Sequence, residues 1–505
     1  MKLSRFLVPM VLVLSLLAPA VHGRNSSPSA PDYSFEGQYT AEDWGTYRYH
    51  PFYVPEGTTT IKVKYSYSAH DGEPAVLDIG IHDPERFRGW SGSTRNEFTL
   101  SESRDLTSDA YIAGEIPEGE WRIELGVPSI DPMTALVFQL YGRNVPKRSS
   151  IVSYNVEIEL SDKPVGKPWV VPPKKDVVIN SRPGWYYGDL HCHSTHSDGK
   201  YPLEEVLDFA HSQDLDFIAP TEHNSISPFS YLPEMQERYD DMLILYGIEY
   251  TSYIGHANVF NYEHIMDFRA TNTGYDINRV IDDIHDGGGY YSPNHPASFI
   301  GAGIPYKIED TDWSKVDFYE VVNGKTKVFD IIPNPLNLKA LRKWDGMLRD
   351  GHRITAIGGS DDHEAGKGET PITSHIGIPT TVVYAEELSM SGIFDAIDAG
   401  HVYILNEGRK SGMKIEFTAK GAGQEVMMGD FIEAEEIEYT VKVDNAGFKT
   451  LVIVENGFPL CLPILRDDFE FSFTRKPRRE GYVRLEVKSG QFHKIITNPI
   501  YYDVP

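Results

Sequence analysis

The chain has 505 residues, 40% hydrophobic and 24% charged, a composition that excludes a fibrous or low-complexity polymer. Acidic residues number 74 against 47 basic ones, and the net charge of −27 argues against nonspecific binding to nucleic acid or anionic lipid. Two cysteines, Cys192 and Cys461, exclude a disulfide framework, so packed cores must hold the fold.

Residues 1–23 read as an export signal. Lys2 and Arg5 give a positive start, and Phe6 to Leu17 is apolar apart from Pro9 and Ser15. Ala18-Pro19-Ala20-Val21-His22-Gly23 then supplies small residues for cleavage. The apolar run is too short for a bilayer, which needs about 20 residues, and no later stretch resembles a membrane span. The expectation is a periplasmic or secreted protein with no stable membrane insertion.

A Ser/Pro-rich leader follows. Residues 33–161 carry β patterning: Thr59 to Tyr67 alternates with period two, and Ala75 to Ile81, Trp121 to Leu125 and Tyr154 to Leu160 are further predicted strands. This predicts an N-terminal β-sandwich. Residues 162–184 hold Pro164, Pro168, Pro172 and Pro173 and predict a stiff linker.

Across 185–407 the texture changes. Predicted strands at Tyr186 to Leu190, Asp216 to Ala219, Leu243 to Tyr246, Tyr290 to Ser292, Phe318 to Val322 and Ile354 to Ile357 alternate with helices at Leu203 to Ala210, Ile277 to His285 and Leu336 to Leu348. That alternation predicts a parallel α/β domain built as a barrel. Residues 408–505 return to β patterning at Glu438 to Val443, Thr450 to Val454 and Tyr482 to Val487, and predict a C-terminal β-sandwich.

The metal-ligating residue types gather after these central strands. His191 and His193 are two apart at a predicted strand end, so both imidazoles point the same way if the strand continues. His223 follows the next strand in Thr221-Glu222-His223-Asn224. Glu249 follows another in Gly247-Ile248-Glu249, with His256 soon after. His295 lies in Ser292-Pro293-Asn294-His295-Pro296, Glu320 and Asn323 in Glu320-Val321-Val322-Asn323, and Asp361 and His363 in Gly358-Gly359-Ser360-Asp361-Asp362-His363. Active-site residues of parallel barrels sit at the C-terminal ends of strands. His211, His285 and His352 fall on or near predicted helices and serve as background. One ion takes too few ligands to use this set, whereas two or three divalent ions bridged by a carboxylate would use it, an arrangement suited to phosphoester hydrolysis.

In order and type, these motifs resemble the PHP (polymerase and histidinol phosphatase) superfamily over roughly Trp185 to Glu407. The layout and the Glu320–Asn323 segment look like its CehA/McbA-type branch. The resemblance implies a distorted (β/α)7 barrel, flanked here by N- and C-terminal β-sandwiches, with a bi- or trinuclear centre of Zn, Mn or Fe. His191 and His193 would bind a first ion with Glu249 and Asp361. Glu249 would bridge to a second held by His256 and His295, and His223 and His363 would hold a third. Asp198 stands at the position of a further ligand to that third ion, with His196 two residues away as a competitor. The family usually has Asp where this chain has Glu222, a supporting carboxylate. Glu320 and Asn323 would line the pocket, and Arg342, Lys325 or Lys367 could meet a phosphate. Strand alternation points Cys192 away from the metals. The implied activity is hydrolysis of a small-molecule or glycan-linked phosphoester by metal-activated hydroxide, without a nucleophilic side chain. Cleavage of a carbamate or other ester on the same centre is the alternative, and a noncatalytic metal- or glycan-binding surface protein is the third reading.

Overall fold

The computed structural model describes residues 30–69, 76–128, 151–174, 176–298, 306–328, 331–368 and 374–505. The expected export signal lies outside them, as does the start of the strand expected from Ala75. The architecture is mixed α/β, rich in strands and with few helices.

The N-terminal part consists of two four-stranded antiparallel sheets. One runs in the order Tyr33–Thr40, Ile151–Ser161, Thr60–Ala69, Glu97–Ser101, and the other Tyr47–Val54, Gly119–Gly126, Asp78–His82, Phe87–Gly92. Alternation decides what they bury. Val152, Tyr154, Val156 and Ile158 face inward from one long strand and meet Ile61, Val63, Trp121 and Ile123 in a common core.

The central part begins with β1 (Gly184–Cys192), β2 (Phe217–His223) and β3 (Gly247–Ser252), which lie side by side and parallel. β4 (Gly255–Phe260) then turns back antiparallel to β3, and β5 (Tyr290–Pro293) runs antiparallel to β4. β6 (Phe318–Asn323) and β7 (Thr355–Gly359) form a parallel pair, with β5 lying against β6 and β7 against β1. β8 (Thr380–Ala385) and β9 (Val402–Leu405) extend the sheet from the other edge of β1, both antiparallel to their neighbours. The helices are α1 (Leu203–Ser212), α2 (Leu232–Arg238), α3 (Ile277–Asp286), α4 (Pro335–Arg349) and α5 (Met390–Asp398). In α3, Ile277, Val280, Ile281 and Ile284 recur at helical spacing and form its buried face. Asn334 caps α4 by accepting from the Leu336 N–H, and Pro335 occupies its first position.

This part departs from the all-parallel expectation. Only Tyr253 and Ile254 separate β3 from β4, too few for a parallel crossover, so the chain makes a hairpin there. The expected strand Leu243 to Tyr246 is reduced to Leu243–Ile244 before β3 begins.

The C-terminal part has one four-stranded sheet in the order Gln424–Met427, Lys414–Gly421, Ile437–Asp444, Phe469–Arg475. Its other strands, Phe492–Thr497, Gly481–Ser489, Thr450–Glu455 and Phe458–Pro463, with Ile500–Asp503 and Phe431–Glu433 branching from Gly481–Ser489, continue the central sheet, because Tyr403 of β9 pairs with Thr497. Both cysteines are free: Cys192 is buried in β1, and Cys461 is exposed on the outermost strand of this long sheet. Among the described residues no helix is long and apolar enough to cross a membrane.

Candidate metal centre

Strand directions explain why distant residues meet. β1, β2 and β7 bring His191 and His193, His223, and Asp361 and His363 to their C-terminal ends. β5 delivers His295 just past its end. β4 runs the other way, so its second residue, His256, stands at the same mouth, paired with Thr251 of β3 two residues past Glu249. Glu249 itself is fully buried at the centre of the group.

The ligand atoms are spaced as donors around shared cations would be. His191 Nε2 lies 3.4 Å from Glu249 Oε1 and 3.4 Å from Asp361 Oδ1. His193 Nε2 lies 3.5 Å from Glu249 Oε2 and 3.3 Å from Asp361 Oδ1. His256 Nδ1 and His295 Nε2 approach Glu249 Oε1 to 3.3 and 3.4 Å. Asp198 Oδ1 stands 3.5 Å from His223 Nε2 and 3.2 Å from His363 Nε2. Metal–nitrogen bonds of about 2.1 Å in a tetrahedron put neighbouring donors roughly 3.4 Å apart. His191 Nε2, His193 Nε2, Glu249 Oε2 and His256 Nδ1 are buried and make no hydrogen bond. His223 Nδ1 sits 2.7 Å from Glu249 Oε2, but its hydrogen-bond partner is the Thr251 hydroxyl at 2.6 Å. Buried polar atoms without partners are costly, so this donor set fits divalent ions. Four overlapping groups can be drawn: His193, Asp198, His223, His363; His191, His295, Asp361; His191, His193, Glu249; and His223, Glu249, His256.

The far sides of the His191 and His363 rings are held. His191 Nδ1 bonds to Glu320 Oε1 at 2.8 Å, so its proton sits there and Nε2 is left as the donor toward a cation. Glu320 Oε2 accepts from the His295 backbone N–H at 2.5 Å and from Asn323 Nδ2 at 3.1 Å, while Asn323 Nδ2 lies 3.3 Å from Asp361 Oδ2. His363 Nδ1 bonds to the Asp361 carbonyl at 2.9 Å. His295 (φ 30°) and Asp361 (φ 55°) sit in left-handed backbone, a strain that the surrounding bonds maintain.

Charge is balanced tightly. Burial pulls the His193 pKa down to about 3, helped by His363 and His223. Burial also opposes charge on His223 and His363, but Glu249 and Asp198 bring His223 to about 9, and Asp198 and Asp361 bring His363 to about 10. Despite burial, the surrounding imidazoles hold Glu249 and Asp361 well below the usual carboxylate range. The Asp198 side chain is still 36% exposed, so water screens part of its coupling.

Two expected residues stand outside the donor set. His196 is buried, with Nδ1 on the Ser227 hydroxyl at 2.7 Å and Nε2 facing Asp109 at 3.9 Å; Asp198 is the residue of that loop that joins His223 and His363. Glu222 turns back into the loop after β1, accepting from the Ser194 N–H at 2.9 Å and from the Ser194 and Ser197 hydroxyls. Burial raises its pKa to about 7. Lys367 is taken by Glu205 and lies over the Tyr201 ring, and Arg342 is exposed. Cys192 Sγ faces the Ala219 carbonyl, away from the donors.

The sequence reading missed three supports. Asn294 Nδ2 donates to Glu249 Oε1 at 2.8 Å and to Asn258 Oδ1 at 2.7 Å. Asp189 accepts from the backbone N–H groups of His191, Ser360 and Gly377, clamping β1 to the loop after β7. Asp362 accepts from the Glu364 and Gly366 N–H groups. The position of Asn294 directly before His295 was the one available signal; the others bond to backbone, which leaves no spacing to read.

Residues 189–309 match the PHP domain family. No curated protein matches the chain. Among solved structures, one similar chain is a two-domain protein from Bacteroides vulgatus described as containing a PHP-like metal-dependent phosphoesterase. It is 18% identical, with 66% of this chain and 100% of that one covered and a TM-score of 0.34. A second, described as a metal-dependent phosphoesterase from Bifidobacterium adolescentis, is 14% identical over 37% of this chain and 92% of its own, with a TM-score of 0.27. A third, an amidohydrolase from Chromobacterium violaceum with bound sulfate and no metal, is 16% identical over 37% of this chain and 93% of its own, with a TM-score of 0.26. Superpositions this loose decide neither the fold nor the activity of this chain.

Proposed function

We propose that this chain is an exported metal-dependent hydrolase whose bond of choice is a phosphoester. One observation carries the reading: four buried ligand-type atoms from β1, β3 and β4 face one another without hydrogen-bond partners. The PHP domain match over residues 189–309 supports it. On this reading β1 to β7 are the wall of a distorted barrel with the centre at its mouth. His191, His193, Asp198, His223, Glu249, His256, His295, Asp361 and His363 would hold two or three divalent ions. Such ions supply Lewis acidity and neutralise charge that develops on phosphoryl oxygens.

The chain's own residues prepare the site. Glu320 fixes the His191 tautomer, Asn294 holds one oxygen of Glu249, and Asn323 ties Glu320 to Asp361. These bonds set donor directions before any substrate arrives, which is how orienting partners raise affinity and rate.

The test is a chelator-stripped full chain reloaded with Mn or Zn and assayed on p-nitrophenyl phosphate, bis-p-nitrophenyl phosphate and 1-naphthyl carbamate. Turnover of a phosphate ester that depends on metal is the expected result. Turnover of the carbamate alone would transfer the assignment to that bond, and silence on all three with metal bound would leave a binding protein. His193→Ala should lose bound metal and at least about a hundredfold in rate while the β parts stay folded. Unchanged metal content in that variant would count against the centre.

A further inference from the structure

At the opposite end of β7 from Asp361 the surface has a second concave site. The end of α4, the Gly351–Arg353 turn, Phe431, the Asn456–Phe458 turn and Arg479 to Tyr482 enclose a cavity of about 340 Å³, with Tyr501 and Tyr502 in its lining. That size falls in the range of small-molecule sites. Arg353 precedes β7 and Asp361 follows it, so the two sites are separated by up to roughly 26 Å of extended chain.

Three arginines, Arg349, Arg353 and Arg479, line this cavity against one glutamate, Glu480. Among the described residues none of the three has an ion pair, in a chain with net charge −27. Asp345 and Glu486 are engaged by Arg484, and Glu455 by Arg475, while Glu480 pairs with none of the three. Arg353 is held flat, its guanidinium 5.0 Å from the Phe431 ring centre and 5.1 Å from that of Tyr501. Stacking fixes the plane and leaves the N–H edge for an oxyanion. Arg349 runs beneath Gly457, where a β-carbon would come within 2.9 Å of Nη1, so the glycine (φ 84°) makes room for the guanidinium. Beside them Phe458 is 76% exposed, an aromatic side chain that a monomer gains nothing by showing to water.

We propose that this cavity is a binding site for an anionic saccharide, with the sugar ring seated on Phe458 and its phosphate, sulfate or carboxylate on Arg353, Arg349 and Arg479. Cations without ion pairs call for the anion, and the exposed Phe458 ring calls for a sugar ring beside it. The proposal is independent of the metal centre's reaction.

The experiment is titration calorimetry on the full chain with glucose 6-phosphate, glucose 6-sulfate and glucuronate, and with glucose and inorganic phosphate as the separated halves. At least one anionic sugar should bind about tenfold or more tighter than either half, and more weakly as salt rises. Which one binds tightest identifies the anion. Arg353→Ala and Phe458→Ala, both exposed substitutions, should each weaken it about tenfold, whereas His193→Ala should leave it within about twofold. Loss of binding in His193→Ala with retention in Arg353→Ala would place the anion on the metal centre and overturn the proposal. Inorganic phosphate binding as tightly as every sugar, or no saturable binding of any probe, would overturn it as well.

Discussion

At the metal centre the His191 and His363 rings are aimed by the bonds on their far nitrogens, and a ring proton competes with the cation. With His223 at about 9 and His363 at about 10, both rings carry protons at neutral pH in the ion-free protein. Their pKa values are raised above the ordinary 6.5, so the stability these charged rings give the ion-free fold is complete below that value. It is lost as pH rises through about 9 and 10. Metal requires the neutral rings, so the sign for loading is opposite: apparent affinity rises with pH, by about tenfold per unit for each proton displaced. Calorimetric metal titrations in buffers of different ionisation enthalpy between pH 7 and 9 should therefore report proton release, and pH-independent loading would refute the charge balance drawn here. His191, His193 and Asp361 were legible in the sequence because spacing and strand ends announce them. Asp198 was favoured over His196 by the resemblance alone, because spacing does not tell how the loop after β1 folds over Ser227.

That loop is braced from outside its own part of the chain. Arg95 donates to the Thr195 carbonyl at 2.6 Å, Asp109 accepts from the Thr195 hydroxyl at 2.7 Å, and the Ala110 N–H bonds to the Ser227 hydroxyl at 3.1 Å. The N-terminal sheets thus hold the turn that carries Asp198. Asp109→Ala should loosen this turn and weaken metal binding about threefold to tenfold, with overall stability lowered by about 1 kcal/mol. Metal titration beside thermal unfolding checks it; wild-type metal affinity would show that the N-terminal sheets are bystanders. Sequence patterning found most of the central strands and helices to within a few residues, since period-two and helical spacing are local signals. It could not find the β3–β4 hairpin, because Tyr253-Ile254 has none of the Asn-Gly or Asp-Gly chemistry that marks a two-residue turn. The reversal is what places His256 beside Glu249.

Over the whole molecule the central and C-terminal parts share one sheet and cannot be treated as beads on a string. Asn498 fastens them: its Oδ1 accepts from the Ala356 N–H at 2.8 Å, and its Nδ2 donates to the Ala356 and Val402 carbonyls at 3.0 Å each. Arg484, fully buried, adds bonds to Asp345 of α4 and to Glu486. Asn498→Ala would leave buried backbone groups unpaired at a cost of about 2–3 kcal/mol. Thermal unfolding of that variant should show β7 and the C-terminal strands melting together at lower temperature. Two separated transitions, with the central part unchanged, would show that the shared sheet does not couple them. A boundary at residues 407–408 looked natural in the sequence because hydrophobic patterning reports which face of a strand is buried, not which strand lies next to it.

The contrast between the two thiols has a practical use. Cys192 is sealed beneath the metal loop, while Cys461 stands on the outermost strand, three residues from Phe458. A maleimide dye would attach at one point on the native chain with no engineered cysteine, on the strand that begins with Phe458 of the arginine-lined cavity.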